Sequence, residues 1–244
     1  MRSAPRPSPQ VLGSDAHRGL AREVAARSVV LLRNEPVDGA PILPIRRGAG
    51  VAAIGPLADV VNLGDGGSSD VWDLECRTIV DGLRASGAQV AHDDGSDVAR
   101  AVDVAADADV AVVVVGYTYL DEGEYIGRTD PALADLLPAA DDPKLAERFQ
   151  ASLVDHPPWR KPERLAERPR GFSTGGDRSS LGLHPDDVAL IRAVAAANPR
   201  TVVVIQAGSA VVVSDWIEEV NAVVQAWYGG AEAGPGLADV LFGD

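Results

Sequence analysis

Two stretches with unbroken apolar centres, DVAVVVVG at 109–116 and RTVVVIQAG at 200–208, constrain the fold of this chain more than anything else in it. A strand with one wet face alternates apolar and polar residues, so runs without alternation predict strands buried on both faces. Such strands need helices above and below, and helical spacing does lie between the apolar stretches. Residues 16–26 read as a helix leading into SVVLLRN, and 50–56 as a strand. A helix follows at 78–86, a short strand at 88–92, and a second helix over 97–108 before the strand ending at Gly116. Further on, a Pro-bounded helix at 184–199 precedes the strand at 200–208, a helix opened by Ser214 or Asp215, the strand AVVQAW, and a closing helix at 235–242. Strands alternating with helices predict an α/β fold, a three-layer αβα sandwich with a mostly parallel sheet.

Residues 1–14 read as a tail and 15–244 as one domain interrupted by a long irregular insertion at about 127–176, rich in Pro, Arg and Asp. That length exceeds the ~12–15 residues at which a structureless loop becomes uncommon, so the insertion is expected to be functional, mobile or both. No repeat of solenoid period is present.

The formal net charge is −14, with 22 Lys and Arg against 36 Asp and Glu. Phosphate neutralisation needs clustered cations, so nucleic acid and anionic membrane surfaces are not expected as partners. The single cysteine, Cys76, forms no internal disulfide and is expected to be buried. MRSAPRPSPQ lacks the apolar core of a signal peptide, and no stretch has membrane-spanning length. The chain is therefore expected to be cytoplasmic, or a fragment that has lost its own N-terminus.

Four histidines, His17, His92, His156 and His184, show no metal-ligand spacing, and no metal or cofactor is expected. His184 directly precedes Pro185, which suits a helix start. GFSTG at 171–175 formally matches a nucleophile elbow, but RPR precedes it where a hydrophobic strand is required. LGDGGSSD at 63–70 follows neither the dinucleotide nor the P-loop spacing, and fits a loop lining a pocket for a neutral polar ligand. VVVSDWIEEV at 211–220 presents an aspartate after β-branched residues, as a nucleophile would be presented. Asp215 with Glu218 three residues later also reads as an N-cap and capping box, and that is the expected role.

The densest group is GYTYLDEGEYIG at 116–127, directly after the strongest apolar run. Loops at the C-terminal ends of parallel strands line ligand crevices. This one gathers Asp121, Glu122 and Glu124 with Tyr117, Tyr119 and Tyr125. Crowded carboxylates beside aromatic walls are expected to raise one another's pKa, as a proton donor needs.

The chain resembles the C-terminal α/β sandwich domain of glycoside hydrolase family 3, the β-glucosidases and related exo-acting enzymes. The matching stretches, in order, are HRGLAREVAARSVVLLRNE, LPI, AAIGPLAD, GDGGSSDV, DVAVVVVGYT, the stretch from Gly175 through VVVIQAGSAVVV, and AVVQAWYGGAEAGPGLADVLFGD. The resemblance implies a retaining β-glycosidase acting on O-glycosyl bonds, with the nucleophile on a preceding barrel and the acid/base on a sandwich loop of the form E-x-E-G followed by G-D-R. Glu122-Gly123-Glu124 and Gly176-Asp177-Arg178 stand for those elements. By position the acid/base is Glu124, with Glu122 as the fallback, because Tyr125 replaces the expected glycine. Asp65, Ser68, Ser69, Tyr125 and Arg178 become candidate substrate-binding residues.

The expected partners are a β-glycoside and a barrel domain in cis or in trans. Without the barrel the chain is expected to be inactive. A carbohydrate-binding or scaffold protein of the same fold remains the alternative, and an unrelated Rossmann-like nucleotide or acyl-transfer protein the further one.

Overall fold

The computed structural model describes residues 8–64, 75–122, 178 and 180–244. Along them run α1 (Asp15–Ser28), β1 (Val30–Asn34), a small hairpin of β2 (Pro36–Val37) and β3 (Ala40–Pro41), β4 (Gly50–Ile54), α2 (Ile79–Ala85), β5 (Gln89–Asp93) and α3 (Val98–Ala106). Then come β6 (Val110–Gly116), the one-turn α4 (Tyr119–Glu122), α5 (Pro185–Ala197), β7 (Thr201–Gln206), β8 (Ala222–Gln225) and α6 (Ala233–Phe242). The insertion expected at 127–176 lies outside the described residues.

Six strands form one sheet in the order β1-β8-β7-β6-β4-β5. All neighbours are parallel except β1, which pairs antiparallel with β8 at the edge and leaves Val30, Leu31 and Leu32 exposed. The unbroken apolar runs occupy the centre, where every residue of β6 and β7 is buried. Side chains alternate between two cores. Val110, Val112, Val114, Val202 and Val204 meet Ile79, Leu83, Leu237 and Leu241 from α2 and α6 on one face. Val113, Val115, Val203 and Ile205 meet Ala101, Ala105, Leu190, Ile191 and Val194 from α3 and α5 on the other. This is the expected three-layer sandwich.

Local chemistry sets the helix boundaries. Thr78 and Asp81 form a capping box at the start of α2, each side chain bonding the other's backbone N–H. Asp97 caps α3 through Ala99 and Arg100. His184 occupies the cap position of α5 with Pro185 at its first turn, as the sequence suggests.

Two expectations need correction. In place of a helix opened by Ser214 or Asp215 there is a single 3₁₀ turn, Ile217–Glu219, whose cap position is Trp216, and no side chain bonds its backbone. Tertiary partners have drawn the groups away: Trp216 is buried at 1% exposure, and Glu218 turns to Arg33 of β1 at 3.2 Å. Asp215 is exposed, with its backbone carbonyl held by Arg192 of α5. Cys76 is half-buried rather than buried. Among the described residues no helix is long and apolar enough to cross a membrane.

Strand order positions the site. The chain runs from β4 outward to β5, then crosses back to place β6 on β4's other side. This reversal makes a topological switch point between β4 and β6, the place where open parallel sheets form a crevice beyond their C-terminal strand ends. The loops leaving β4 and β6 are those bearing LGDGGSSD and GYTYLDEGEY.

Candidate functional site

At the end of β6 the backbone turns sharply. Gly116 has φ +134°, a conformation other residues rarely adopt, and a Cβ there would stand 1.9 Å from the carbonyl oxygen of Gln206. Tyr117 then bonds back to the end of β7, its N–H donating to Gln206 O at 2.8 Å. Asn62, beyond β4, donates to Tyr117 O at 2.9 Å and ties the two loops together. Thr118 caps α4: its hydroxyl accepts from the Leu120 N–H, while Asp121 accepts from the Thr118 N–H at 3.0 Å. The string T-Y-L-D is legible as this device, so the direction in which Asp121 and Glu122 leave the turn follows from local sequence.

The two carboxylates part company. Asp121, 7% exposed, faces His184 at the start of α5, with Nε2 3.3 Å from Oδ1. Burial pushes its carboxyl up, but His184 and the Thr118 backbone and hydroxyl outweigh that and hold it below its ordinary value of 3.8. The expectation that the crowded acids raise one another therefore fails for Asp121, because each has its own donors. A depressed folded-state pKa contributes stability that is fully present above pH 3.8 and lost as pH falls through the folded value. Asp121→Asn is therefore expected to lower the melting temperature at neutral pH, with the gap to the parent closing under acid. A constant gap across a pH series of thermal melts would contradict this.

Glu122 points the other way, toward the ends of β7 and β8. Its Oε2 lies 2.8 Å from Nε of Arg178, and the two side chains are 10% and 3% exposed. Its Oε1 accepts from the Gly208 N–H and, at 2.5 Å, from the Tyr228 hydroxyl. Burial, then the hydrogen bond and charge of Glu122, pushes the Tyr228 phenol far up and keeps it a donor. Trp227 places it there: φ is +55°, unusual for a bulky residue, and the indole N–H is anchored on Ser28 O at 3.0 Å. Gly208 is needed for close approach, since a Cβ would meet the Tyr228 ring at 3.0 Å and Glu122 Oε1 at 3.2 Å.

Arg178 knits the group together. Its guanidinium stacks 4.2 Å from the centre of the Tyr117 ring and donates to the Ser209 hydroxyl and the Ala210 carbonyl. Tyr117 in turn packs against His184, with centroids 5.1 Å apart. Loops following β6, β7 and β8 thus converge on one ionic and aromatic cluster.

The cluster belongs to an α/β sandwich domain and stands at the C-terminal rim of an open parallel sheet, where such sheets form a crevice. The chain belongs to glycosyl hydrolase family 3, as its C-terminal domain: the family model "Glycosyl hydrolase family 3 C-terminal domain" matches residues 29–244. It is similar to a probable beta-glucosidase J of Emericella nidulans, 50% identical over 72 residues that make up 30% of this chain and 8% of that protein. It is also similar, along 94% of its length at 28% identity, to an exo-alpha-(1->6)-L-arabinopyranosidase of Bifidobacterium longum, of which it spans 26%. The crystal structure of a Bifidobacterium adolescentis GH3 beta-glucosidase superposes with a TM-score of 0.64 at 28% identity, over 94% of this chain and 27% of that one. The chain thus spans about a quarter of the length of relatives that match it end to end. The family replaces the alternative of an unrelated nucleotide or acyl-transfer protein.

Of the residues singled out from sequence, Glu122 and Arg178 are brought into direct contact. Glu124, Tyr125, Asp65, Ser68 and Ser69 lie outside the described residues, as does GFSTG. Tyr228 and Gly208 were not anticipated. In AVVQAWYGG the tyrosine looks like one more core aromatic, and only the left-handed turn at Trp227 sends it to the rim.

Proposed function

We propose that this domain supplies the acid/base side of a retaining glycosidase site acting on O-glycosyl bonds, β-glucoside-like, with Glu124 as the acid/base and the nucleophile on a barrel outside these 244 residues. The observation that carries the reading is the Glu122–Arg178 ion pair. It joins the E-G-E stretch to the G-D-R stretch across a long sequence gap, at the rim where such sheets present ligands. Glu124 follows Glu122 by two residues in the sequence.

Retention needs two carboxyl groups about 5–5.5 Å apart, on opposite sides of the anomeric carbon. One attacks while the other protonates the leaving oxygen, then accepts a proton from the water that releases the sugar. Holding one partner alone loses the effect of proximity, so the 244-residue chain by itself is inactive.

The test joins this domain to a family 3 barrel, in cis or in trans, and measures hydrolysis of nitrophenyl β-D-glucoside and nitrophenyl α-L-arabinopyranoside. The assembled protein is expected to turn over at least one of them, and Glu124→Gln to lower kcat by about 10²–10⁴-fold. Turnover by the isolated chain, abolished by Glu124→Gln, would overturn the division of labour. An assembled Glu124→Gln variant with undiminished kcat would overturn the assignment of the acid.

A further inference from the structure

We propose that Glu122 is a positioning residue rather than the proton donor: with Arg178, Tyr228 and Gly208 it forms a clamp that fixes the rim point from which the acid/base loop departs. This rests on the glycosidase reading above. Family position favours Glu124 as the acid but keeps Glu122 as the fallback, because Tyr125 replaces the expected glycine.

Geometry separates them. An acid in a glycosidase must present an oxygen to the leaving group, and both oxygens of Glu122 are already occupied. Oε2 takes the Arg178 guanidinium at 2.8 Å, and Oε1 takes both the Gly208 amide and the Tyr228 hydroxyl. All three partners are donors, and they come from three different loops of the rim. Three of the carboxylate's roughly four lone-pair sites carry a donor, and the fourth is on the oxygen that faces Arg178, on a side chain 10% exposed. The partners are themselves over-determined. Arg178 is held by Tyr117, Ser209 and Ala210, and Tyr228 by the anchored, left-handed Trp227. Gly208 lacks the Cβ that would push Tyr228 and Glu122 away. Such mutual fixation is the mark of a supporting shell, whose work is to hold a neighbouring group in productive geometry.

The clamp also joins residues 122 and 178, on either side of the stretch 123–177. The ion pair offsets part of the ordering entropy of bringing these two ends together.

Two measurements test the clamp. In the 244-residue chain, Glu122→Gln sets an amide NH₂ against either Arg178 or the Gly208 N–H, and hydrogen exchange of the Gly208 amide is expected to accelerate at least tenfold. Arg178→Lys, which keeps charge but loses the fork, is expected to give a smaller acceleration of the same amide. Unchanged Gly208 exchange in both variants overturns the proposal.

In the barrel-joined protein, Glu122→Gln is expected to lower kcat by the same factor on nitrophenyl and dinitrophenyl glycosides, with no rescue by azide. Glu124→Ala is expected to spare the dinitrophenyl substrate, whose leaving group needs no proton, and to be rescued by azide. Leaving-group dependence or azide rescue in Glu122→Gln would make Glu122 the acid and overturn the proposal. Accelerated Gly208 exchange in a barrel-joined protein that hydrolyses no glycoside supports the clamp while the glycosidase reading fails.

Discussion

Gly234→Ala is expected to destabilise the chain by about 3 kcal/mol, at the upper end of the cost of forcing atoms into a packed core. Near the start of α6 a Cβ on Gly234 would lie 1.9 Å from the carbonyl oxygen of Thr78, the cap residue of α2. From the other side, a Cβ on Gly82 of α2 would lie 2.2 Å from Gly234 itself. The two helices therefore cross with their backbones in contact, and both obstacles are main-chain atoms that no rotamer change can move. Separating the helices lifts Leu237 and Leu241 of α6 off Ile79 and Leu83, members of one buried core. A melting temperature lower by roughly 6–12 °C is expected for a chain of this size. Gly19→Ala is the control, since nothing lies within 4 Å of its added Cβ and it sits inside α1. There alanine should stabilise by roughly 0.5–1 kcal/mol. Equal melting temperatures for Gly234→Ala and the parent would show that the helices do not cross as described.

The second large effect belongs to Arg178→Ala. Removing one partner of a buried ion pair strands the other, at a cost of about 3–5 kcal/mol. Glu122 would keep its bonds to Gly208 and Tyr228 but lose its only cation among the described residues, in a setting where its side chain is 10% exposed. The face of Tyr117 and the bonds to Ser209 and Ala210 would be lost as well. Combining Arg178→Ala with Glu122→Gln is expected to cost less than the sum of the two single changes, because the second removes the charge the first strands. Strict additivity in urea unfolding would mean that the pair does not act as a unit.

The sheet was legible because its central strands carry polar residues only at their ends: a doubly covered strand suits VAVVVVG. Helix starts at Thr78 and Asp97 were legible for an equally local reason, since the capping side chain lies within three residues of its target, and Pro185 suits the first turn of α5. Asp215 shows where that logic ends. S-D-W-I-E-E has the letters of a capping box, yet Trp216 gains more by burial beneath α5 than the turn gains from a cap, and Glu218 finds Arg33 from a distant strand.

The site was half legible. A loop of acids and tyrosines after the strongest strand marked its place, and the family resemblance made Glu122-Gly123-Glu124 and Gly176-Asp177-Arg178 two elements of one loop, without pairing Glu122 with Arg178. Composition could not reveal that Asp121 and Glu122 serve separate partners, nor that Tyr228 closes the group. Those facts depend on where three strand ends, remote in sequence, come to lie side by side.

The reversal of strand order between β4 and β6 has an evolutionary consequence. What keeps the layers together is written in Val and Ile runs and in the glycines where α2 meets α6, while what meets a ligand is written in loops that leave the rim. Substitutions in one script need not disturb the other. A lineage can rewrite the rim and inherit the frame unchanged, which accords with one frame appearing in relatives described as a beta-glucosidase and as an arabinopyranosidase.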